Sequence, residues 1–176
     1  MNFKETNLKG AFIITTNHFN DHRGYFSRSF CSREFERMGL EFSMVQSNIS
    51  YSNKKNTLRG MHFQNNGFEE AKLIRCVKGK ILDTIIDLRE ESKTYGETFS
   101  IELDSNSRQI LYVPKFFAHG FITLEDHTEV FYQVSEFYNP QNEAGIRWND
   151  PSFKFEWPTE NPIISDRDKN HPNFIL

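Results

Sequence analysis

Two of the six histidines stand where an imidazole can do chemistry. His62 lies in Leu58-Arg59-Gly60-Met61-His62-Phe63-Gln64, and His119 lies in Val113-Pro114-Lys115-Phe116-Phe117-Ala118-His119-Gly120-Phe121, a loop opened by proline that enters a strand. An unperturbed pKa of about 6.5 suits such a group to general-base work. It also suits metal ligation, but metal-binding barrels commonly offer His-x-His and then Glu on one strand. Here Gln64, a poor ligand, stands two residues after His62. His62 and His119 alone fall short of the three or four ligands a transition metal requires, so the expectation is no metal, and with no dinucleotide-binding fingerprint in the sequence no cofactor is expected either. A base needs an orienting partner, and Asp166 and Asp168 in Ile164-Ser165-Asp166-Arg167-Asp168 are candidates. Spacing places neither beside His62, and a solvated turn is the plainer account of both. Lys72 opens an apolar run; pointed inward it offers a fixed positive charge, pointed outward it snorkels to water. Tyr132, in Val130-Phe131-Tyr132-Gln133-Val134, reads as a core tyrosine. Tyr138 precedes Asn139-Pro140 at a strand end, where its ring could cover a ligand. No glycine-rich phosphate loop is present, so a bound diphosphate would fall to scattered arginines, of which Arg23 and Arg59 are best placed.

The elements that must hold these side chains are mostly strands. Leu73–Val77 and Lys80–Leu88 flank Lys78-Gly79-Lys80, which predicts a tight hairpin. Thr98–Leu103, a turn at Asp104-Ser105-Asn106-Ser107, Gln109–Val113, Phe121–Leu124 and Glu129–Val134 follow at short intervals. Short, evenly spaced strands mean a sandwich or a closed barrel, which local signals do not separate. Along 58–64, alternation puts Arg59, Met61 and Phe63 on one face and Gly60, His62 and Gln64 on the other, with Gly60 leaving space beside His62. One helix is predicted over Ser32–Leu40, with Ser32 as N-cap, Phe35 and Met38 on one face and Gly39 at its end. The segment from Trp157 to Leu176 carries Pro158, Pro162 and Pro172 and reads as irregular, with a helical turn near Ser165–Lys169.

The bulk properties exclude several classes. A chain of 176 residues fits one domain with its own core. A formal net charge of -3 with dispersed Lys and Arg argues against nucleic acid. No apolar run is long enough to span a membrane, and the N-terminus has no secretory pattern, so the expected location is the cytoplasm. Cys31 and Cys76 are then two reduced, buried thiols. Aromatic residues make up 15% of the chain; most fit a sheet core rich in large rings, and a few are free to stack on a flat ligand.

Read together, five segments carry a resemblance. They are Asp-His-Arg-Gly-Tyr-Phe at 21–26, Leu-Arg-Gly-Met-His-Phe-Gln at 58–64, Lys-Leu-Ile-Arg-Cys-Val-Lys-Gly at 72–79, Pro-Lys-Phe-Phe-Ala-His-Gly-Phe at 114–121 and Trp-Asn-Asp-Pro at 148–151. In this order and spacing the chain resembles the dTDP-4-dehydrorhamnose 3,5-epimerase family over nearly its whole length. The resemblance implies an all-β, cupin-type jelly-roll barrel with one short helix, working as a homodimer on a nucleotide-diphosphate sugar. It implies His62 as base, Asp168 as its carboxylate partner, Lys72 beside the sugar ketone and Tyr132 as acid. It implies Arg23, Arg59 and Gln46 around the diphosphate, Tyr138 and Phe26 near the nucleotide base, and His119 and Glu143 in the binding site.

One departure stands out. The family commonly reads Arg-Gly-x-Phe-x-Glu-Ser, and here Arg28 replaces the Glu. Thymine offers a donor at N3 that a carboxylate accepts, whereas cytosine offers an acceptor that an arginine satisfies, so Arg28 either marks preference for a CDP-sugar or points to solvent. The chemistry implied is inversion at C3 and/or C5 of a 4-keto-6-deoxy sugar through an enolate. The rival readings are an epimerase acting at C3 or C5 only, a sugar-binding barrel without catalysis, and a metal-dependent oxygenase.

Overall fold

A computed structural model of the chain describes residues 1–40 and 43–175. The strands are β1 (Asn2–Glu5), β2 (Phe12–Thr15), β3 (His18–Asp21), β4 (Gly24–Ser27), β5 (Gln46–Ser52), β6 (Leu58–Gln64), β7 (Lys72–Lys78), β8 (Lys80–Asp87), β9 (Thr98–Asp104), β10 (Gln109–Val113), β11 (Phe117–Thr123), β12 (Thr128–Val134) and β13 (Glu143–Gly145). The helices α1 (Ser32–Arg37) and α2 (Asp166–Lys169) are both short. One sheet runs β1-β2-β10-β7-β12-β5, the second β13-β6-β11-β8-β9, and β3–β4 form a separate two-stranded ribbon. The two large sheets face each other as a cupin-like jelly roll.

Period-2 alternation builds the core. Ile74 and Cys76 of β7, Leu111 and Val113 of β10 and Val130 of β12 meet Ile81 and Ile85 of β8, Leu103 of β9 and Phe117 and Phe121 of β11 between the sheets. The alternate residues of the six-stranded sheet, among them Ile14, Leu73 and Ile110, pack outward under Phe35 of α1. Met61, Ile86 and Ala118 form the outer face of the five-stranded sheet, covered by Phe153, Phe155, Trp157 and Phe174 of the C-terminal segment. That segment is irregular, as expected, yet it is pinned: the Ile163 carbonyl accepts from the Leu58 amide at 2.8 Å, and the Ile163 amide donates to Asn56 at 2.8 Å.

Three local expectations need correction. Lys78-Gly79-Lys80 is not a hairpin, because β7 pairs with β10 and β12 while β8 pairs with β9 and β11. Gly79 does take positive φ, +76°, but it turns the chain from one sheet to the other, and a methyl group there would lie 2.5 Å from the Thr128 hydroxyl. The helix over Ser32–Leu40 stops at Arg37 and is N-capped by Cys31, with no side-chain cap. Met38 is its exposed C-cap rather than a second buried residue beside Phe35, and Gly39 ends it at φ +70°. Cys31 is only half-buried; Cys76 is buried, and desolvation pushes its thiol up to about 12, which leaves it inert as a nucleophile.

The decisive departure from alternation lies in β6. His119 stands opposite His62, but Phe121 stands opposite Arg59, so β6 carries one extra residue over the same stretch of β11. This is a bulge, and Gly60, at φ +130°, allows it. The bulge turns Arg59 onto the face of His62, where alternation had set it on the opposite one. Gly60 does not open space beside His62; it lies against the backbone of Gly120, where a methyl group would come within 2.5 Å of the Gly120 Cα.

Candidate active site

The open end of the barrel holds a cleft with two lobes. One, of about 290 Å³, is lined by Gln46, Asn48, His62, Gln64, Glu70, Lys72, Tyr132, Tyr138 and Glu143 among others. The other, of about 320 Å³, is lined by Ser50, Arg59, His62, Lys72, His119, Phe121, Tyr132, Ser165, Arg167 and Asp168. His62, Lys72 and Tyr132 line both lobes and so stand where they join. They come from opposite walls: His62 is on β6 of the five-stranded sheet, Lys72 and Tyr132 on β7 and β12 of the six-stranded one.

His62 is held from behind. Its Nε2 lies 2.9 Å from Asp168 Oδ1, while Asp168 Oδ2 accepts from the Gly60 amide at 3.2 Å. Ser165 caps α2 by accepting from the Asp168 amide at 3.1 Å, which fixes the carboxylate on the first turn. Burial opposes the charge of Asp168, but the His62 hydrogen bond and the Gly60 amide outweigh it and hold the carboxyl below the usual range. Of the two aspartates in the 164–168 run, Asp168 is the one brought to His62; Asp166 is exposed.

Lys72 points inward, with its ammonium 2.9 Å from Glu70 Oε1 and only 9% of its side chain exposed. Tyr132 is half-buried. Desolvation, then the negative charge of Glu70, pushes its hydroxyl above the usual tyrosine range, against the opposing pull of Arg59. A tyrosine so placed keeps its proton at neutral pH. His119 sits within β11 rather than in a loop, and its Nε2 lies 2.9 Å from Asp83, which has no exposure. Burial raises the Asp83 pKa, and His119 and Lys72 oppose the rise.

The rim is tied together by polar contacts. Gln64 anchors it: its amide donates to the Phe68 and Phe137 carbonyls at 3.1 and 3.2 Å, and its Oε1 accepts from the Asn139 amide at 2.6 Å. The residue that disqualified a metal-binding strand thus holds the Tyr138 loop. Gln46 accepts from the Tyr138 amide at 2.6 Å, and Glu143 accepts from the Tyr138 hydroxyl and pairs with Arg167. The Tyr138 and Arg167 hydrogen bonds hold Glu143 below the usual carboxylate range against its desolvation.

Within one chain, Arg23, Phe26 and Arg28 do not line this cleft. Arg23 is exposed and paired with Asp21 at 2.6 Å. Arg28 is exposed and lies 3.3 Å from Glu34, in a small cavity that also includes Phe26. Sequence reading missed Asp83, Glu70, Arg167 and His171. Asp83 carried a signal, a charge at an inward position between Ile81 and Ile85; for the other three, spacing offers none. His171 packs against Gly145, with its ring 5.9 Å from that of His62. Burial, then the nearby His62, lowers its pKa.

Comparison with known proteins agrees with this architecture. The profile of the dTDP-4-dehydrorhamnose 3,5-epimerase family matches residues 5–175. The dTDP-4-dehydrorhamnose 3,5-epimerase of Methanothermobacter thermautotrophicus is 41% identical over 96% of this chain and 91% of its own. That of Shigella flexneri is 38% identical over 99% and 97%. Among solved structures, the dTDP-4-dehydrorhamnose 3,5-epimerase of Bacillus anthracis, with TDP and PPi bound, superposes with a TM-score of 0.95 at 40% identity, covering 98% of this chain and 99% of that one. No helix among the described residues is long and apolar enough to cross a membrane. On profile, relatives and fold alike, the chain belongs to the dTDP-4-dehydrorhamnose 3,5-epimerase family and is an isomerase acting on carbohydrate.

Proposed function

We propose that the cleft inverts C3 and C5 of a dTDP-linked 4-keto-6-deoxy sugar by proton abstraction and return. One observation carries the reading: His62 and Tyr132 face a shared cavity from opposite sheets, with Lys72 between the two lobes. A hydrogen alpha to the C4 ketone is acidic because its removal leaves an enolate with the charge on O4. His62, tied to Asp168 through Nε2, takes that proton on Nδ1, and the carboxylate stabilises the imidazolium formed. Lys72 meets the charge growing on O4. Tyr132 returns a proton to the same carbon from the other wall, and the centre inverts. The pair is reset when the tyrosinate regains a proton and His62 loses one. Arg59, Gln46 and Tyr138 lie on the rim where a nucleotide diphosphate would be held, with His119 and Glu143 in the lobes beside the sugar.

The test is Tyr132→Phe in deuterated water, followed by proton NMR. Deuterium wash-in at C3 and C5 should persist within about a few-fold of the parent rate, while net epimerisation falls by about 10²-fold. Equal loss of both would remove Tyr132 from the acid role.

We propose further that the working unit is a homodimer. β5 edges the six-stranded sheet and exposes Ile49 and Tyr51, and the β3–β4 ribbon exposes Phe19 and Phe26 outside both large sheets. Uncovered edges and apolar patches of this kind favour a second copy. The ribbon would then offer Arg23, Phe26 and Arg28 to the partner's cleft. Light scattering should give twice 20.8 kDa for the parent and one chain for Ile49→Arg. A monomeric parent would end this proposal.

A further inference from the structure

Behind the base, the molecule holds a second set of ligands. His62, Asp168 and His171 each offer one donor atom, and the three atoms lie within 4.8 Å of one another. They come from β6, from α2 and from the residue three beyond Asp168. His171 Nε2 is buried, has no hydrogen-bond partner among the described residues and lies 3.8 Å from Asp168 Oδ1. Its ring cannot withdraw toward β13, because it already packs on Gly145, where even a methyl group would come within 2.3 Å of it. An orphaned buried nitrogen beside a carboxylate calls for an explanation, and an ion is one of the few that supplies it.

We propose that His62, Asp168 and His171 form an inhibitory site for a divalent transition-metal ion of the Zn²⁺ class. Two imidazoles and a carboxylate are a borderline donor set that suits Zn²⁺ and Co²⁺ and leaves a position for water. Bonds of about 2.0–2.1 Å to nitrogen place cis ligands roughly 3.3 Å apart in a tetrahedral shell, so the rings need to close by about 1.5 Å at most. The ion takes Nε2 of His62 and the carboxylate that now accepts from it. The remaining ring proton then resides on Nδ1, the nitrogen that must be bare to receive a proton from the sugar. Metal therefore stops the chemistry at its base, and chelation restores it. This effect on turnover rests on the reading of His62 given above; the site itself does not.

The experiment uses the full chain, stripped with chelator and titrated with Co²⁺ in the absence of substrate. One equivalent should bind with the visible absorption of a low-coordinate ion, and Zn²⁺ should displace it. His171→Ala should weaken Co²⁺ binding by about tenfold or more, and Asp168→Asn should weaken it independently, with circular dichroism confirming that both variants fold. Zn²⁺ should suppress turnover of the parent, and His171→Ala should lose that sensitivity by the same factor, measured against its own chelated rate. If His171→Ala binds Co²⁺ as tightly as the parent, the site is overturned. Binding that depends on His171 while turnover proceeds undiminished would uphold the site and overturn His62 as base.

Discussion

His62→Ala should lower epimerisation by about 10²–10⁴-fold and remove deuterium exchange at both C3 and C5. Exchange is the sharper readout, because it needs only the first half of the reaction. The substitution removes the one imidazole among the described residues that reaches both lobes of the cleft, and it leaves the Asp168 carboxylate facing a gap. That carboxylate keeps its Gly60 amide and its place on α2, so the barrel itself should survive. His119 also carries a carboxylate on Nε2, but it lines one lobe of the cleft whereas His62 lines both, so it is not placed to replace it. Binding of the nucleotide should change little, since Arg59, Gln46 and Tyr138 are untouched. Exchange retained at either carbon within tenfold of the parent would show that another base serves it.

Lys72→Met should cost about 10²–10³-fold in turnover, the range found when a donor to a developing oxyanion is removed. Methionine keeps the unbranched bulk and removes the charge. Exchange and net inversion should fall together, because in the proposed mechanism both pass through an enolate stabilised by Lys72, whereas Tyr132→Phe should separate them. The substitution has a structural side effect. Glu70, with 12% of its side chain exposed, loses the Lys72 ammonium and keeps the Gln64 amide at 3.3 Å, and a largely buried carboxylate without its cation is costly. The double variant Lys72→Met/Glu70→Gln removes that penalty, so stability returns while turnover stays low. Turnover of the double variant near the parent level would remove Lys72 from the electrostatic role.

Residue type reveals β7 to β10 and β12, but of β11 it reveals only the end from Phe121, because the segment opened by Pro114 reads as a loop. The short strands β1, β3 and β4 are not legible in this way, since their residues are mostly exposed and carry little pattern, and β2 buries Phe12 and Ile14 in alternation but is only four residues long. A glycine turn at 78–80 predicts where the chain reverses but not which sheet receives it, and so the expected hairpin proved to be a crossing. In the site, His62, Lys72 and Tyr132 were candidates from sequence. Their shared cavity depends on pairing between strands, which composition does not encode. Asp168 reaches His62 across 106 residues of chain, and only resemblance singled it out from Asp166. The face of Arg59 was misread because alternation assumes unbroken pairing, and one extra residue at the Gly60 bulge reverses it.

That bulge has a bearing on how the protein can change. Gly60 and Gly120 meet backbone to backbone, and a methyl group on Gly120 would lie 2.6 Å from the Met61 sulfur. The separation of the strands that carry His62 and His119 is therefore set by main chain rather than by any interlocking of side chains. Core positions such as Ile81, Leu103 or Val130 can drift among aliphatic residues without respacing the two imidazoles. The barrel interior is thus free to vary while the spacing of His62 and His119 stays constant, and the freedom ends at two residues that have no side chain to exchange.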